Sequence, residues 1–294
     1  MPLRNAIGWL ARRVRVARPR RQTSKPPVII CPYLYPHEAA EVRAKFRLDR
    51  RAGAGLEFFL WHDTERRGPE RAFEFCWDQF PDRDVVLIHS DMAPLPGDTA
   101  NAWYESLLGF RDRLPRAGMI ACNLLYPSGE HDGVWRVQCA GGSFRDGRID
   151  YLRGPVLGAG NEADAGVPER LLREVRAVDW VTFGGVLIRR DVIRACGPFD
   201  RRYEWAYVMD VDYSLEARLR GFRLYQVPVS LLHEESRTTR PMLQAGGDLR
   251  DAVSRNWDVF HAKWRPLAAA LPPENGNEVL TSFKPALPRV SAPR

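Results

Sequence analysis

"PVIICPYLYPHEAAEVRAKF", residues 27–46, joins an apolar run to a segment of mixed polarity. Residues 27–35 read as a buried strand and residues 37–46 as a helix. The alternation repeats downstream. "LEFFLWHD" (56–63) reads as a second strand, "GPERAFEFCWDQF" (68–80) as a second helix and "DVVLIHSD" (84–91) as a third strand. A helix from about Thr99 to Leu114 and a strand in "GMIACNLLY" (118–126) continue the series. This pattern predicts an α/β domain, with a mostly parallel sheet covered by helices on both faces.

Ligands of such sheets bind at the carboxyl ends of the strands. There the sequence offers Tyr33, Asp63 and Asp91. Neither G-x-G-x-x-G nor G-x-x-x-x-G-K-[ST] occurs, and the glycine-rich "PVLGAGNEADAG" falls in a section, about 126–167, that reads as irregular. A bound nucleotide therefore needs a metal or basic side chains for its phosphates.

The chain has 294 residues, 45% of them hydrophobic, which is enough for one large domain with appendages. No apolar run approaches the roughly 18 residues that span a bilayer. Five scattered cysteines with no C-x-x-C pair fit a reducing cytoplasm, and Cys31, Cys76 and Cys122 lie in apolar segments as core thiols. The net charge of +7 is misleading as an average. Arg4, Arg12, Arg13, Arg15, Arg18, Arg20, Arg21 and Lys25 stand in residues 1–25 without one acid, so the remaining chain is slightly acidic. Leu3, Ile7, Leu10 and Val14 recur there at helical spacing. A basic amphipathic arm, residues 1–26, suits an anionic membrane surface. The body has no basic excess and no nucleic-acid-binding motif, so the charge pattern favours a membrane over nucleic acid. A solvated arm without a partner is the plain alternative.

"YVMDVDYSLEARLRG", residues 207–221, sets two acids at the start of a further helix. Val211, Leu215, Leu219 and Phe222 form its apolar stripe, and Gly221 is a natural stop. Acids at a helix start complement the dipole. A helix turns about 100° per residue, so Asp210 and Asp212 cannot both face one pocket. If one is catalytic, the other is structural.

The segment "VDWVTFGGVLIRRDVIRACGPFDRRYEWAYVMDVDYSLEARLRGFRLYQVPVSLLHEES" (178–236) resembles the second half of the family 2 glycosyltransferases. The matching blocks, in order, are the W-V-T strand, Gly184 and Gly185, the apolar run into Arg189 and Arg190, the "GPFD" turn, the acidic helix start, the "RGFR" turn and the strand into His233. "VIICPYLY", "FFLWHD" and "VVLIHSD" fit the family's first half, and "RNWDVFHAKW" its ending. The resemblance covers about residues 27–265 and leaves 266–294 as a proline-rich tail.

The resemblance implies a GT-A-type, Rossmann-like three-layer sandwich with a mixed, mostly parallel central sheet. It also implies a metal-dependent, inverting transfer of a sugar from a nucleoside-diphosphate sugar to a hydroxyl of a saccharide or lipid-linked saccharide, at the cytoplasmic face of a membrane. Asp91 matches the last acid of the family's D-x-D, where His89 replaces the first, and His233 matches a position that helps bind metal or diphosphate. Mg²⁺ or Mn²⁺ is the expected cofactor, the imidazole favouring Mn²⁺. Asp63 matches the acid that contacts base or ribose, and Tyr33 either stacks on the base or fills the sheet edge. Asp210 matches the catalytic base. Met209 replaces the family's glutamate, which keeps open a second function, a catalytically inactive binding or scaffold protein of a polysaccharide assembly complex. Arg189 and Arg190 either approach phosphate or are helix-start charges. A nucleotidyltransferase is a third, weaker fit, because the glycine- and lysine-rich loop after the first strand is missing.

Overall fold

Val28–Tyr33 forms strand β1, and its first four residues are fully buried. A strand apolar on both faces belongs in the middle of a covered sheet, and β1 pairs in parallel with β2 (Phe58–His62) on one side and β3 (Val85–Leu87) on the other. Helix α1 (Pro36–Lys45) connects β1 to β2, and α2 (Pro69–Asp78) connects β2 to β3. The two connections run in opposite directions along the sheet. Right-handed crossovers then put α1 and α2 on opposite faces. The computed structural model describes residues 25–49, 56–98, 101–114, 116–127, 136–152, 154–155, 172–205, 207–234 and 248–274.

Beyond β3 come the short β4 (Met92–Pro94), helix α3 (Ala102–Arg113) and β5 (Ala117–Leu125), whose nine residues are all buried. The second half supplies β10 (Arg176–Val178), β11 (Val186–Ile188), helix α4 (Arg190–Cys196), helix α5 (Met209–Leu219) and β12 (Arg223–His233). The main path is β10-β12-β5-β11-β3-β1-β2. β11 runs antiparallel to both β3 and β5, and β10 antiparallel to β12; the other five strands point one way. The expected α/β architecture, a mixed and mostly parallel sheet with flanking helices, is the one observed. Gly185 enters β11 at φ +67, where a side chain would also press on Leu231 at 2.9 Å.

The section expected to be irregular contains short strands: β6 (Arg136–Cys139), β7 (Gly142–Arg145), β8 (Arg148–Tyr151) and β9 (Gly154–Pro155). β6 extends the sheet beside β5, and β7 and β8 form a hairpin. Asp146 and Gly147 at its turn both take positive φ, the geometry that Asp-Gly favours between paired strands. The strands escaped notice because they are short, mostly polar and interrupted by glycine.

Helix α6 (Asp248–Trp264) and a 3₁₀ turn (Arg265–Ala270) close the described chain, with Leu267 and Leu271 packed into the main core. Residues 1–24, nearly all of the basic arm, and 275–294, most of the proline-rich tail, lie outside the described residues. Among the described residues no helix is long and apolar enough to cross a membrane. All five cysteines are free. Burial pushes the Cys76 thiol up to about 12 and those of Cys31 and Cys122 higher still.

Candidate functional site

Tyr33, Asp63, Asp91, Asp210 and His233 line one cavity of about 350 Å³. It opens at the carboxyl ends of β1, β2 and β3 and is closed from the other side by the starts of α2 and α5.

The β1 and β2 ends are tied by the Asp63 N–H, which donates to the Tyr33 carbonyl at 2.8 Å. The Tyr33 ring stacks on His62 with centroids 5.0 Å apart. Asp63 is buried and accepts the backbone N–H groups of Arg67 and Gly68, while its Oδ1 has no partner. Burial raises its pKa against those two hydrogen bonds. Arg66, exposed and held at φ +51, also lines this end.

β4 folds back on β12 so that Met92 lies opposite His233. That pairing brings Asp91, one residue before Met92, to His233. The His233 Nε2 is 3.1 Å from Asp91 Oδ1 and 3.5 Å from His89 Nδ1. One ligand atom from each of His89, Asp91 and His233 lies within 4.8 Å of the others. His233 Nδ1 donates to Gln138 Oε1 at 2.6 Å, which turns Nε2 toward Asp91 and His89. Burial and the neighbouring His233 push His89 down to about 4, so its imidazole is neutral at pH 7. Burial works to raise Asp91, but the hydrogen bond and charge of His233, with His89 behind it, hold the carboxyl well below its usual range. Two imidazole nitrogens and a carboxylate oxygen so close together need a positive centre between them, a proton or a divalent ion. The donor set fits a cation such as Mn²⁺, and Gln138 fixes the orientation of the His233 ring.

At the opposite wall, Trp205, Tyr207 and Val208 all take positive φ, at 60°, 72° and 57°. Such a run is rare for non-glycine residues, and Val208 is β-branched, so it persists only where its surroundings hold it. Asn256 on α6 supplies part of that hold, accepting from the Glu204 N–H at 2.8 Å and donating to the Glu204 carbonyl at 2.6 Å. The start of α2 supplies more, since a Cβ on Gly68 would lie 2.5 Å from the Trp205 oxygen. The turn presents Asp210 to the cavity. Burial pushes its carboxyl up to about 6, while Oδ1 accepts the Val211 N–H at 2.8 Å.

Asp212 points the other way. It accepts from Tyr203 Oη at 2.8 Å, Trp264 Nε1 at 2.6 Å and Lys263 Nζ at 2.9 Å, fixing the first turn of α5 to α6. Arg189 donates to the carbonyls of Arg111 and Leu114, and Arg190 to that of Trp77. Neither arginine lines the cavity. Met209 is fully buried in the core and does not line it either.

Three cavity residues were not singled out in the sequence as functional. His89 stands with Asp91 and His233, although in the sequence it is only the replacement of an acid. Gln138 was hidden in the unrecognised β6. Glu70, second residue of α2, is buried with Oε2 unpartnered and faces the same space. For Glu70 no local signal distinguishes it from an ordinary acid at a helix start.

No family model matches the chain. Over 156 residues, 53% of this chain and 48% of the other, it is 28% identical to N-acetylglucosaminyl-diphospho-decaprenol L-rhamnosyltransferase of Mycobacterium tuberculosis. The chain thus spans about half the length of the curated relatives it matches. Among solved structures, it is similar to GalNAc-T7 with UDP, GalNAc and Mn²⁺ at a TM-score of 0.43 and 12% identity, over 85% of this chain and 59% of that one. It is also similar to the mannosyltransferase PcManGT of Pyrobaculum calidifontis in complex with GDP-Man and Mn²⁺, at a TM-score of 0.43 and 14% identity, over 92% and 80%.

Proposed function

We propose that the chain is a metal-dependent, inverting glycosyltransferase that moves a sugar from a nucleoside-diphosphate sugar to an acceptor hydroxyl. The observation that carries this reading is one cavity lined at one wall by His89, Asp91 and His233, grouped closely enough to hold a cation, and at the other by the half-buried carboxyl of Asp210. Likeness to a rhamnosyltransferase over half the chain supports it.

The nucleoside binds at the β1 and β2 ends, where Asp63 Oδ1 is free to accept from base or ribose and Tyr33 offers an aromatic face. His89, Asp91 and His233 would hold a divalent cation such as Mn²⁺ or Mg²⁺, which would supply charge neutralisation for the leaving diphosphate. Asp210 takes the proton from the acceptor hydroxyl as that oxygen attacks the anomeric carbon. The bond from that carbon to the diphosphate oxygen breaks on the opposite face, so the configuration inverts. A carboxyl poised near 6 is ionised at neutral pH yet basic enough to help.

The acceptor is a saccharide or a polyprenyl-linked saccharide. The mycobacterial relative's name contains a diphospho-decaprenol, and the basic residues 1–25 suit an anionic, cytoplasmic membrane face. The alternative, a binding protein without turnover, draws on Met209, whose core position leaves no carboxyl beside Asp210 on its own helix. The deciding experiment is a screen of uridine, guanosine and thymidine diphosphate sugars for binding and hydrolysis, with and without Mn²⁺. Binding without hydrolysis or transfer to any acceptor favours the second reading, and no binding at all removes both.

A further inference from the structure

Pro69 and Glu70 open α2, and Met209 and Asp210 open α5, so each helix brings an acid into the cavity from its second position. The two starts are held together, because Gly68 packs against the backbone of Trp205. Glu70 is 8% exposed. Its Oε2 has no hydrogen-bond partner, and no cation is paired with it among the described residues. The adjacent Arg71 is turned away, donating to the carbonyls of Phe199, Asp200 and Tyr203 and to Glu74. A carboxyl oxygen buried without a partner costs free energy unless a ligand or a proton answers it.

Position selects the ligand. Asp63 at the nucleoside end accepts the Gly68 N–H, two residues before Glu70. Asp210 at the acceptor end is close enough for its charge to act on Glu70. Between a nucleoside and an attacking hydroxyl stands the sugar being transferred. We propose that Glu70 is a sugar-binding residue of this cavity, its Oε2 engaging a ring hydroxyl of the donor sugar between the Asp63 turn and Asp210. This rests on the nucleotide-sugar reading above.

The chemistry of the group agrees. Burial, and then the Asp210 charge, push the Glu70 carboxyl up to about 8, with its own N–H and Arg71 opposing. The other acidic and basic side chains around the cavity are Glu38, Asp63, Arg66, His89, Asp91 and His233. A protonated carboxyl both donates and accepts, as a sugar hydroxyl does, so one group can meet either lone pair or proton.

The test is calorimetry on the full chain with Mn²⁺, using uridine, guanosine and thymidine diphosphates and their hexose, deoxyhexose and N-acetylhexosamine conjugates. Wild type, Glu70→Gln and Glu70→Ala are compared. The expected result is a conjugate that wild type binds more tightly than its parent diphosphate, with Glu70→Ala weakening the conjugate by about tenfold or more while leaving the diphosphate unchanged. Glu70→Gln, which keeps shape and hydrogen bonding, should lie between the two and carries the test if the alanine variant does not fold. Wild-type affinity for the conjugate in both variants overturns the assignment with the nucleotide-sugar reading intact, and so does an equal loss for conjugate and diphosphate. A wild-type chain that binds diphosphates but prefers no conjugate also overturns it. Wild type that binds none of the probes takes down the functional reading and this inference together.

Discussion

The Nε2 of His233 stands 3.1 Å from the Oδ1 of Asp91, although the residues come from opposite halves of the chain. Pairing of β4 with β12 creates the contact, and Gln138 fixes the ring. Nucleoside diphosphate should therefore bind appreciably only with Mn²⁺ or Mg²⁺, and Asp91→Asn should remove that dependence. Gln138→Ala should weaken the metal itself by about 10- to 100-fold, because it frees the ligand ring. Calorimetry with and without chelator checks both. Equal nucleotide affinity in excess chelator would sink the metal assignment.

Much of the fold is legible in the sequence. The apolar runs of β1, β2, β3 and β5 gave the α/β class, because strands buried on both faces must be covered by helices. Tyr33, Asp63 and Asp91 fell at strand ends, where an α/β sheet binds ligands. Helical periodicity alone separated Asp210 from Asp212. What escaped depends on non-local pairing. Gln138 reaches His233 only because β6 joins the edge of β5, and that four-residue polar strand has too little pattern to read. Glu70 shares the cavity with Asp210 because the starts of α2 and α5 come together, with Gly68 against Trp205. His89 was read against an expected acid, when its value lies in a neighbour brought in by β12.

Glu70 gives stability an unusual pH dependence. Its folded pKa is raised from 4.5 to about 8, so between those values the folded chain keeps a proton that the unfolded chain has lost. The contribution is fully present below about pH 4.5 and is lost as pH rises toward 8. Glu70→Gln fixes the neutral state. It should melt with wild type near pH 4 and above it at pH 8, by on the order of a few kcal/mol. Melting curves that stay parallel across this range would show Glu70 to be an ordinary carboxylate.

Gly68 joins the two cavity helices, at φ +87 with the Trp205 oxygen 2.5 Å from where a Cβ would stand. Gly97 has nearly the same φ, +88, with nothing within 4 Å. Both alanine variants strain the backbone, by on the order of 1 kcal/mol. Only Gly68→Ala should also push the Trp205 turn from the start of α2. Thermal melts and nucleotide-sugar affinity of the pair separate strain from displacement, and loss of binding in Gly97→Ala would discredit the junction.

Near an anionic surface each Lys or Arg contributes about 1 kcal/mol, less where contact is incomplete. The eight such residues in 1–25 should therefore hold the chain reversibly at such a surface. The full chain should sediment with phosphatidylserine vesicles and be released by salt. A chain lacking residues 1–25 should not. Unchanged sedimentation of the truncated chain assigns the arm another role.

Asp210 and Asp212 differ by two residues and by environment, which makes them each other's control. Asp210 lines the cavity with no cationic partner among the described residues, and burial lifts its carboxyl to about 6 against two backbone hydrogen bonds. Asp212 is enclosed by Tyr203, Lys263 and Trp264. Replacing each by asparagine keeps size and some hydrogen bonding while removing charge. For a general base the loss is typically about 10²- to 10⁴-fold in rate, so Asp210→Asn should lower turnover by at least the smaller figure while donor affinity changes little. Asp212→Asn leaves Lys263 with a weaker partner and should cost on the order of 2 kcal/mol in stability, with turnover falling only as the folded fraction falls. Single-turnover rates, with donor and acceptor saturating, compare the two variants at a temperature where both are folded. An active Asp210→Asn beside a dead Asp212→Asn would mean that the base is misassigned by one face of the helix. Full activity in both would end the general-base mechanism.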